Sequence, residues 1–295
     1  MPAYAFVTLD VFTDRKFGGN PLAVFTDARG LSGEQMQQLA AEFNLSETTF
    51  VLPPEDPAHD ARVRIFNRTA EMPFAGHPSV GTGFVLAARG HGKDGGLTLE
   101  VPAGLVDVRI TNNGAGAPTG GVIAAPRPLV LGRTLPIEAV AACAGLAPAD
   151  VVTSAHEPIE ASVGINFFFA EVSADALTRA TPDLAAFRNA ADAHGLNGDR
   201  LALHLYARDG QSIRARMFAP LSGTIEDPAT GSANATLAAL LVSLGDQPSQ
   251  SFTISQGVEM RRPSVLQATA RREPDGVRAT VGGGCVMMFR GEIEL

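Results

Sequence analysis

One short motif occurs twice in the chain, with 155 residues between equivalent positions of the two copies. The first copy reads EMPFAGH at 71–77 and the second reads EDPATGS at 226–232, with Glu, Pro and Gly at the same three positions. The flanking residues correspond as well, since RIF at 64–66 matches RMF at 216–218. Unrelated glycine-rich turns would account for one match but not for the shared order of several. The chain is therefore predicted to consist of two halves with the same fold.

The segment after each motif is almost uncharged and predicts a helix that is buried on every side. These segments are 77–89 and 232–244, and a helix that is apolar all round must be surrounded by protein. An amphipathic helix is predicted at 32–43, with Ser32 as its N-cap. Alternating polar and apolar residues predict half-buried strands, at 4–12, 62–66, 105–110, 201–206 and 265–270. The predicted fold class is α+β, with two pseudo-symmetric halves, each a mostly antiparallel curled sheet around a central buried helix.

The composition excludes several classes of partner. The formal net charge is −8 and no Lys- or Arg-rich run occurs, so no nucleic-acid partner is expected. The apolar runs are far shorter than the ~20 residues that span a bilayer, so no membrane association is expected either. The first residues lack a basic patch followed by an apolar core, which makes the cytoplasm the expected compartment.

Metal ions and nucleotide cofactors are not expected. The two cysteines, Cys143 and Cys285, lie outside any CxxC or Cys/His cluster. GGGC at 282–285 lacks the lysine and the following helix of a P-loop, and no GxGxxG follows a predicted strand. Apart from His77, the histidines lack metal-ligand spacing and are predicted to occupy surface or loop positions. They are His59, His91, His156, His194 and His204.

The starts of the two buried helices form the first candidate site. Gly76 precedes His77, and Gly231 precedes Ser232. The first turn of a helix leaves backbone N–H groups unpaired and carries a partial positive charge, which attracts anions. If the halves face each other, both helix starts would hold a carboxylate, or an enolate that forms beside it. The alternative is that the glycines only end strands and that His77 and Ser232 only cap helices, but the duplicated pattern favours the site.

Three further polar residues are candidates for this site. Glu47 lies between apolar neighbours where a helix gives way to a strand, and loss of hydration there is expected to raise its pKa towards the range useful for proton transfer. Asp227 precedes the second helix and is placed to hydrogen-bond a substrate amine or hydroxyl. Asn20 is a turn residue or lines the same cleft. The alternatives are a cap or surface ion pair for Glu47 and a turn before proline for Asp227, and local sequence does not decide between them.

These motifs together resemble the phenazine-biosynthesis PhzF-like family of the diaminopimelate epimerase fold superfamily. The resemblance rests on pieces in the same order along nearly the whole chain, at 10–12, 19–21, 44–51, 73–78 and 226–234 and in the glycine-rich final strand. It implies that the final strand crosses back to the first half, that the site lies between the halves, and that the protein is a homodimer. The expected domains are 1–126 with 282–295, and 127–281.

The resemblance also implies a role for each candidate residue. Glu47 would be the general acid/base, with His77 and Asp227 as its polar partners at the substrate. Ser232 and the backbone of Gly76 and Gly231 would bind the substrate carboxylate, and Asn20 is assigned to the same substrate site. The activity implied is a cofactor-independent isomerisation of a small carboxylate of the dihydro-hydroxyanthranilate type, in which a proton moves between carbons.

Two other functions are compatible with the same residues. Related epimerases and racemases use two cysteines beside the helix starts, where this chain has Ala75 and Thr230. Two-thiol racemisation is therefore not expected, and the remaining racemase alternative uses Glu47 and Asp227 as a different pair of bases. The second alternative is a non-catalytic protein that binds a carboxylate metabolite.

Overall fold

The computed structural model describes residues 1–196 and 201–295. Internal contacts divide these residues into two compact units. Unit 1 comprises Met1–Ala124 and Gly282–Leu295, and unit 2 comprises Ala125–Val281.

Unit 1 contains ten helices and strands before the chain enters unit 2. In chain order they are β1 (Ala3–Val11), β2 (Asn20–Phe25), α1 (Gly33–Phe43), β3 (Glu47–Leu52), β4 (Ala61–Phe66), β5 (Glu71–Met72), α2 (Gly76–Ala87), β6 (Gly96–Val101), β7 (Gly104–Asn112) and β8 (Pro118–Ala124).

The elements of unit 2 follow in the same manner. They are β9 (Val130–Thr134), α3 (Ile137–Cys143), β10 (Val151–Val152), β11 (Ile159–Ser162), β12 (Asn166–Val172), α4 (Ala174–Arg179), α5 (Leu184–Ala193), β13 (Leu203–Asp209), β14 (Ser212–Ala219), β15 (Thr224–Asp227), α6 (Gly231–Leu244), β16 (Ser249–Gln256) and β17 (Ser264–Glu273). The last strand, β18 (Gly276–Glu294), begins in unit 2 and ends in unit 1.

Eight strands of unit 1 close into a barrel. β18 pairs with β1, β1 with β2, β2 with β3, β3 with β4, β4 with β6, β6 with β7, β7 with β8, and β8 again with β18. The β2–β3 and β4–β6 pairs are parallel, and the other pairs with a determined register are antiparallel. Closure leaves no free edge along this ring.

The helix α2 fills the barrel of unit 1. It packs against strands around the ring, and nearly all of its residues are buried. Two glycines let the strands approach closely, because a Cβ on Gly81 would lie 2.6 Å from Leu22 and one on Gly83 would lie 2.7 Å from Val108. The near absence of charge that the sequence shows in 77–89 is thus explained by enclosure on all sides, and the predicted central helix is confirmed.

The helix α1 begins as its sequence predicts. The Ser32 hydroxyl accepts a hydrogen bond from the Gln35 backbone N–H, and the Gln35 side chain accepts one from the Ser32 N–H. This reciprocal pair satisfies two N–H groups at the helix start. The buried side of α1 contributes to an apolar cluster with Phe25 and Phe50, whose rings stack at 4.9 Å.

Unit 2 repeats the pairing scheme of unit 1. In both units an antiparallel pair leads into a parallel pair: β11–β12 and β12–β13 correspond to β1–β2 and β2–β3. In unit 1, β4 pairs with the short antiparallel strand β5 and with the longer parallel strand β6. In unit 2, β14 pairs in the same way with β15 and β16. The helix α6 is buried like α2 and packs against β16 and β17. The predicted fold class is therefore confirmed.

The repeated motif makes the same side-chain contacts in both units. Arg64 donates two hydrogen bonds to Glu71, and Arg216 donates two to Glu226. Each guanidinium also lies over the ring of the phenylalanine two residues later, at 5.0 Å in unit 1 and 4.9 Å in unit 2. The two-point contact ties the strand before each buried helix to the sheet.

Candidate functional site

Both buried helices begin without a side-chain cap. The N-cap residues are Ala75 for α2 and Thr230 for α6, and neither makes a side-chain capping hydrogen bond. Neither first turn contains an acidic residue. The backbone N–H groups at these helix starts are thus not bonded by a side-chain cap or by an acidic residue of their own first turn, an arrangement that is suited to a carboxylate ligand.

In unit 1 the structure brings Glu47 and His77 together. Glu47 is the first residue of β3 and His77 is the second residue of α2. The Nδ1 atom of His77 lies 3.3 Å from the Oε2 atom of Glu47, and the two side chains are only 6% and 16% exposed. A carboxyl group and an imidazole in contact at the start of a buried helix are suited to proton transfer in a site with little water.

Burial keeps His77 uncharged. Loss of hydration lowers its pKa from 6.5 to about 3, and the hydrogen bond to the Pro21 carbonyl opposes only part of this shift. His77 is therefore a neutral imidazole at physiological pH, and it lies against Glu47 as an uncharged polar group rather than as a cation.

Asn20 lies beside the segment that leads to Glu47. It is almost fully buried, and its Oδ1 accepts a hydrogen bond of 3.2 Å from the Ser46 hydroxyl. Ser46 directly precedes Glu47 in the chain. Asn20 thus restrains the entry to β3, and its assignment to substrate binding stays a prediction.

In unit 2 the structure brings Asp227 to the start of α6. Asp227 is the last residue of β15 and is 8% exposed. The Thr230 hydroxyl donates a hydrogen bond of 2.6 Å to its Oδ2. Gly231 is buried, whereas Ser232 is half-buried. The sequence-based candidates are therefore grouped within each unit, with Asn20, Glu47, Gly76 and His77 in unit 1 and with Asp227, Gly231 and Ser232 in unit 2.

One histidine was assigned wrongly from the sequence. His204 was predicted to be a surface or loop residue, but it lies in β13 and is fully buried. Its Nε2 is 3.1 Å from the Oδ1 of Asn234, and burial lowers its pKa to about 3. The prediction failed because it considered only metal-ligand spacing, whereas the first five residues of β13 are all buried.

Sequence reasoning also missed Gln256. This residue is fully buried at the end of β16 and hydrogen-bonds Thr230 and Asn234. A signal was present, because the buried positions of β16 alternate as Phe252, Ile254 and Gln256. A glutamine on the inward face of an apolar strand indicates a buried polar partner.

The three shifted histidines give a prediction for NMR. In a pH titration of the imidazole Cε1–H signals, His77 and His204 are expected to stay unprotonated from pH 8 to about pH 4, since their pKa values are lowered to about 3. His59 is the internal control, because its hydrogen bond to Glu100 raises its pKa above 6.5.

The same lowered pKa values affect stability, because unfolded histidines bind protons near pH 6.5. The unfolded state therefore binds more protons below that value, and stability is expected to fall as the pH drops from about 6.5 to about 3. Protonation of His77 near pH 6.5 in the NMR titration would contradict its lowered pKa.

Residues 1–196 and 201–295 contain neither a metal-ligand cluster nor a membrane-spanning helix. No group of three or more His, Cys, Asp or Glu side chains is arranged to hold a metal ion in this part of the chain. No helix within these residues has the length and apolar character needed to cross a membrane.

Comparison with known proteins identifies the family. The family model described as phenazine biosynthesis-like protein matches residues 9–291. The trans-2,3-dihydro-3-hydroxyanthranilate isomerase of Pseudomonas fluorescens is 37% identical over 300 residues, which cover 98% of this chain and 99% of that protein. The Pseudomonas chlororaphis protein of the same name is 36% identical over 299 residues, with the same coverage of both chains.

A solved structure agrees with these sequence matches. The crystal structure of a Bacillus anthracis phenazine biosynthesis protein of the PhzF family matches with a TM-score of 0.88 and 25% sequence identity, and the match covers 100% of both chains. The resemblance found in the sequence motifs is confirmed. The chain therefore belongs to the phenazine biosynthesis-like (PhzC-PhzF) family and is an isomerase.

Proposed function

We propose that this isomerase moves a proton between two carbons of trans-2,3-dihydro-3-hydroxyanthranilate or a closely similar cyclic carboxylate, with Glu47 as the general acid/base and without a cofactor. The observation that carries the proposal is the contact of 3.3 Å between Glu47 and a buried His77 at the uncapped start of α2. The names of the relatives at 36% and 37% identity support the substrate class.

The proposed reaction needs one carboxylate. Glu47 removes a proton from a carbon next to the double bonds of the substrate, and the C–H electron pair is delocalised through them. The protonated Glu47 then returns a proton to another carbon of the same system. The substrate loses and regains one proton, and no oxidant or reductant takes part. Hydrogen-bond donors that are aimed at the developing negative charge lower the barrier of such a step by several kcal/mol in a dry site.

The remaining candidates are proposed to bind the substrate. His77 is neutral, so it lies beside Glu47 without placing a fixed positive charge next to it. Such a charge would favour the ionised carboxylate and weaken it as a base. The backbone N–H groups at Gly76 and Gly231, together with Ser232, are assigned to the substrate carboxylate. Asp227 is assigned to its amine or hydroxyl group, and Asn20 to the same substrate site.

We also propose that the protein is a homodimer in the cytoplasm. Exposed apolar side chains supply area for contact with a second copy, among them Phe17, Ile225 and Phe289. Both cysteines are free thiols, as is usual in a reducing compartment. Light scattering of the purified protein tests the dimer directly, and a monomeric mass at micromolar concentration would contradict it.

The proposed reaction can be followed by NMR in deuterated water. We expect trans-2,3-dihydro-3-hydroxyanthranilate to be converted to an isomer when the protein is added, with deuterium entering the carbon that receives the proton. The control is the same compound without protein. Binding of the compound without conversion or exchange would indicate a binding protein and contradict the proposal. Exchange with inversion, but without a shift of the double bonds, would indicate a racemase.

A further inference from the structure

Unit 2 contains a line of buried polar side chains that ends at Asp227. We call it the polar chain of unit 2, and it consists of Asp227, Thr230, Gln256, Asn234 and His204. Each of these residues is less than a tenth exposed, and the last three are fully buried. Buried polar groups cost free energy unless they are hydrogen-bonded, and a partly satisfied network is worse than an apolar core.

The hydrogen bonds of the polar chain of unit 2 have a fixed direction from donor to acceptor. Both amide hydrogens of Asn234 are used, because Nδ2 donates to the Thr230 carbonyl at 3.0 Å and to the Gln256 Oε1 at 2.7 Å. The Oδ1 of Asn234 therefore faces His204 and accepts from its Nε2–H. The Nδ1 of His204 is buried and has no hydrogen-bond partner among the described residues. His204 is thus held in the Nε2–H tautomer.

The same direction continues to Asp227. The Nε2 of Gln256 donates to the Thr230 hydroxyl at 3.0 Å and to the Asp227 carbonyl at 2.7 Å. Since the Thr230 oxygen accepts from Gln256, its hydrogen is directed to the Asp227 carboxylate, which it contacts at 2.6 Å. The Thr230 hydroxyl therefore donates its proton to the Asp227 carboxylate, and the hydrogen bond that it accepts from Gln256 fixes this orientation.

The fold itself does not require this polar chain. With the 155-residue offset of the repeat, the positions of Asp227, Thr230 and Gln256 correspond in unit 1 to Met72, Ala75 and Val101. Val101 ends β6 as Gln256 ends β16. Unit 1 thus builds the same pairing scheme with apolar side chains at these three positions. At these three positions polar residues occur in the unit that carries the aspartate and not in the other, whereas Asn234 corresponds to the buried Ser79.

We propose that Thr230 and Gln256 are positioning residues that hold the Asp227 carboxylate in place for its contact with the substrate. This inference rests on the proposed function, in which Asp227 binds the amine or hydroxyl of the substrate. Thr230 acts by direct donation to Asp227, and Gln256 acts through Thr230.

A pair of substitutions at Thr230 tests the proposal. Thr230→Val removes the donor and keeps the shape, and it is expected to lower kcat/KM for trans-2,3-dihydro-3-hydroxyanthranilate by roughly 10- to 100-fold, which is typical of losing a hydrogen bond to a charged group. Thr230→Ser keeps the hydroxyl and is expected to restore activity to within about 3-fold. The matched control is Thr236→Val, which removes a buried hydroxyl of the same helix that donates to the Ser232 carbonyl. Full activity of Thr230→Val would overturn the proposal.

A double-mutant cycle separates positioning from general damage. In an Asp227→Asn background, Thr230→Val is expected to lower activity by less than about 3-fold further, because its effect acts through Asp227. If the two losses multiply in full, Thr230 acts by another route and the proposal is overturned. If Asp227→Asn alone keeps full activity, the proposed role of Asp227 in catalysis fails instead.

Crystal structures of the substrate-free variants test directly whether Thr230 holds the Asp227 carboxylate in its position. The Asp227 carboxylate is expected to leave its position in Thr230→Val and to keep it in Thr230→Ser. Thr230→Ala serves as the second variant, because it removes the same hydroxyl without adding a methyl group to a buried helix start. An Asp227 carboxylate that stays in place in both hydroxyl-free variants would overturn the proposal.

Discussion

Replacement of Glu47 by Gln is expected to lower kcat of the isomerase by roughly 10²- to 10⁴-fold, the usual contribution of a general acid/base. The amide has nearly the same size as the carboxyl group and can still lie against His77, but it cannot take a proton from carbon at neutral pH. Glu47 has a side-chain exposure of 16% and lies at the first position of β3. We therefore expect the fold to tolerate the change.

The measurement is product formation by NMR, accompanied by thermal unfolding followed by circular dichroism. Glu42→Gln is the matched control, since Glu42 is exposed on α1 and its substitution should leave both activity and stability unchanged. Turnover of Glu47→Gln at the rate of the unaltered protein would remove Glu47 from the mechanism. A large loss of stability would assign it a structural role instead.

Gly120→Ala is expected to destabilise the protein by about 3 kcal/mol or more, at the upper end of what overpacking costs. A Cβ at this position would lie 2.1 Å from the carbonyl oxygen of Gly283 and 2.9 Å from the Cα of Gly284. Both obstacles are backbone atoms, so no side-chain rotation relieves the clash. The pairing of β8 with β18 that closes the barrel of unit 1 would have to open.

Urea denaturation measures this effect as a lower midpoint. Gly114→Ala is the control in the same β7–β8 hairpin, because a Cβ there meets no atom within 4 Å. The two variants differ only in what the added methyl group contacts. Equal midpoints for both would contradict the close approach of β8 and β18.

The repeat made the fold predictable from the sequence. Two uncharged helical segments, each preceded by the same motif, were sufficient to predict a buried helix within a curled sheet in each half, since only enclosure accounts for a helix without a polar face. The motif also contains ion-pair residues that were not identified from the sequence. Its Arg and Glu positions form the ion pairs Arg64–Glu71 and Arg216–Glu226, which join residues seven and ten positions apart across a bend that no local pattern describes.

The candidate site was predictable where its residues lie next to a helix start, as His77 and Asp227 do. The contact between Glu47 and His77 joins residues 30 positions apart, and the Thr230–Gln256 hydrogen bond joins residues 26 positions apart. Such pairings depend on strand register, which local sequence does not set. The hydrogen-bond partner of His204 could not be predicted either, because Asn234 lies on a helix that only the tertiary fold brings beside β13.

The closing role of β18 has a consequence for the order of folding. The ring of unit 1 needs residues from Gly282 onwards between β1 and β8, so a ribosome must first synthesise all of unit 2. Until then, β1 and β8 expose the hydrogen-bonding groups of two strand edges, which other chains can pair with. The nascent chain therefore carries two open strand edges throughout the synthesis of unit 2, and chaperones that cover strand edges would protect it during that time.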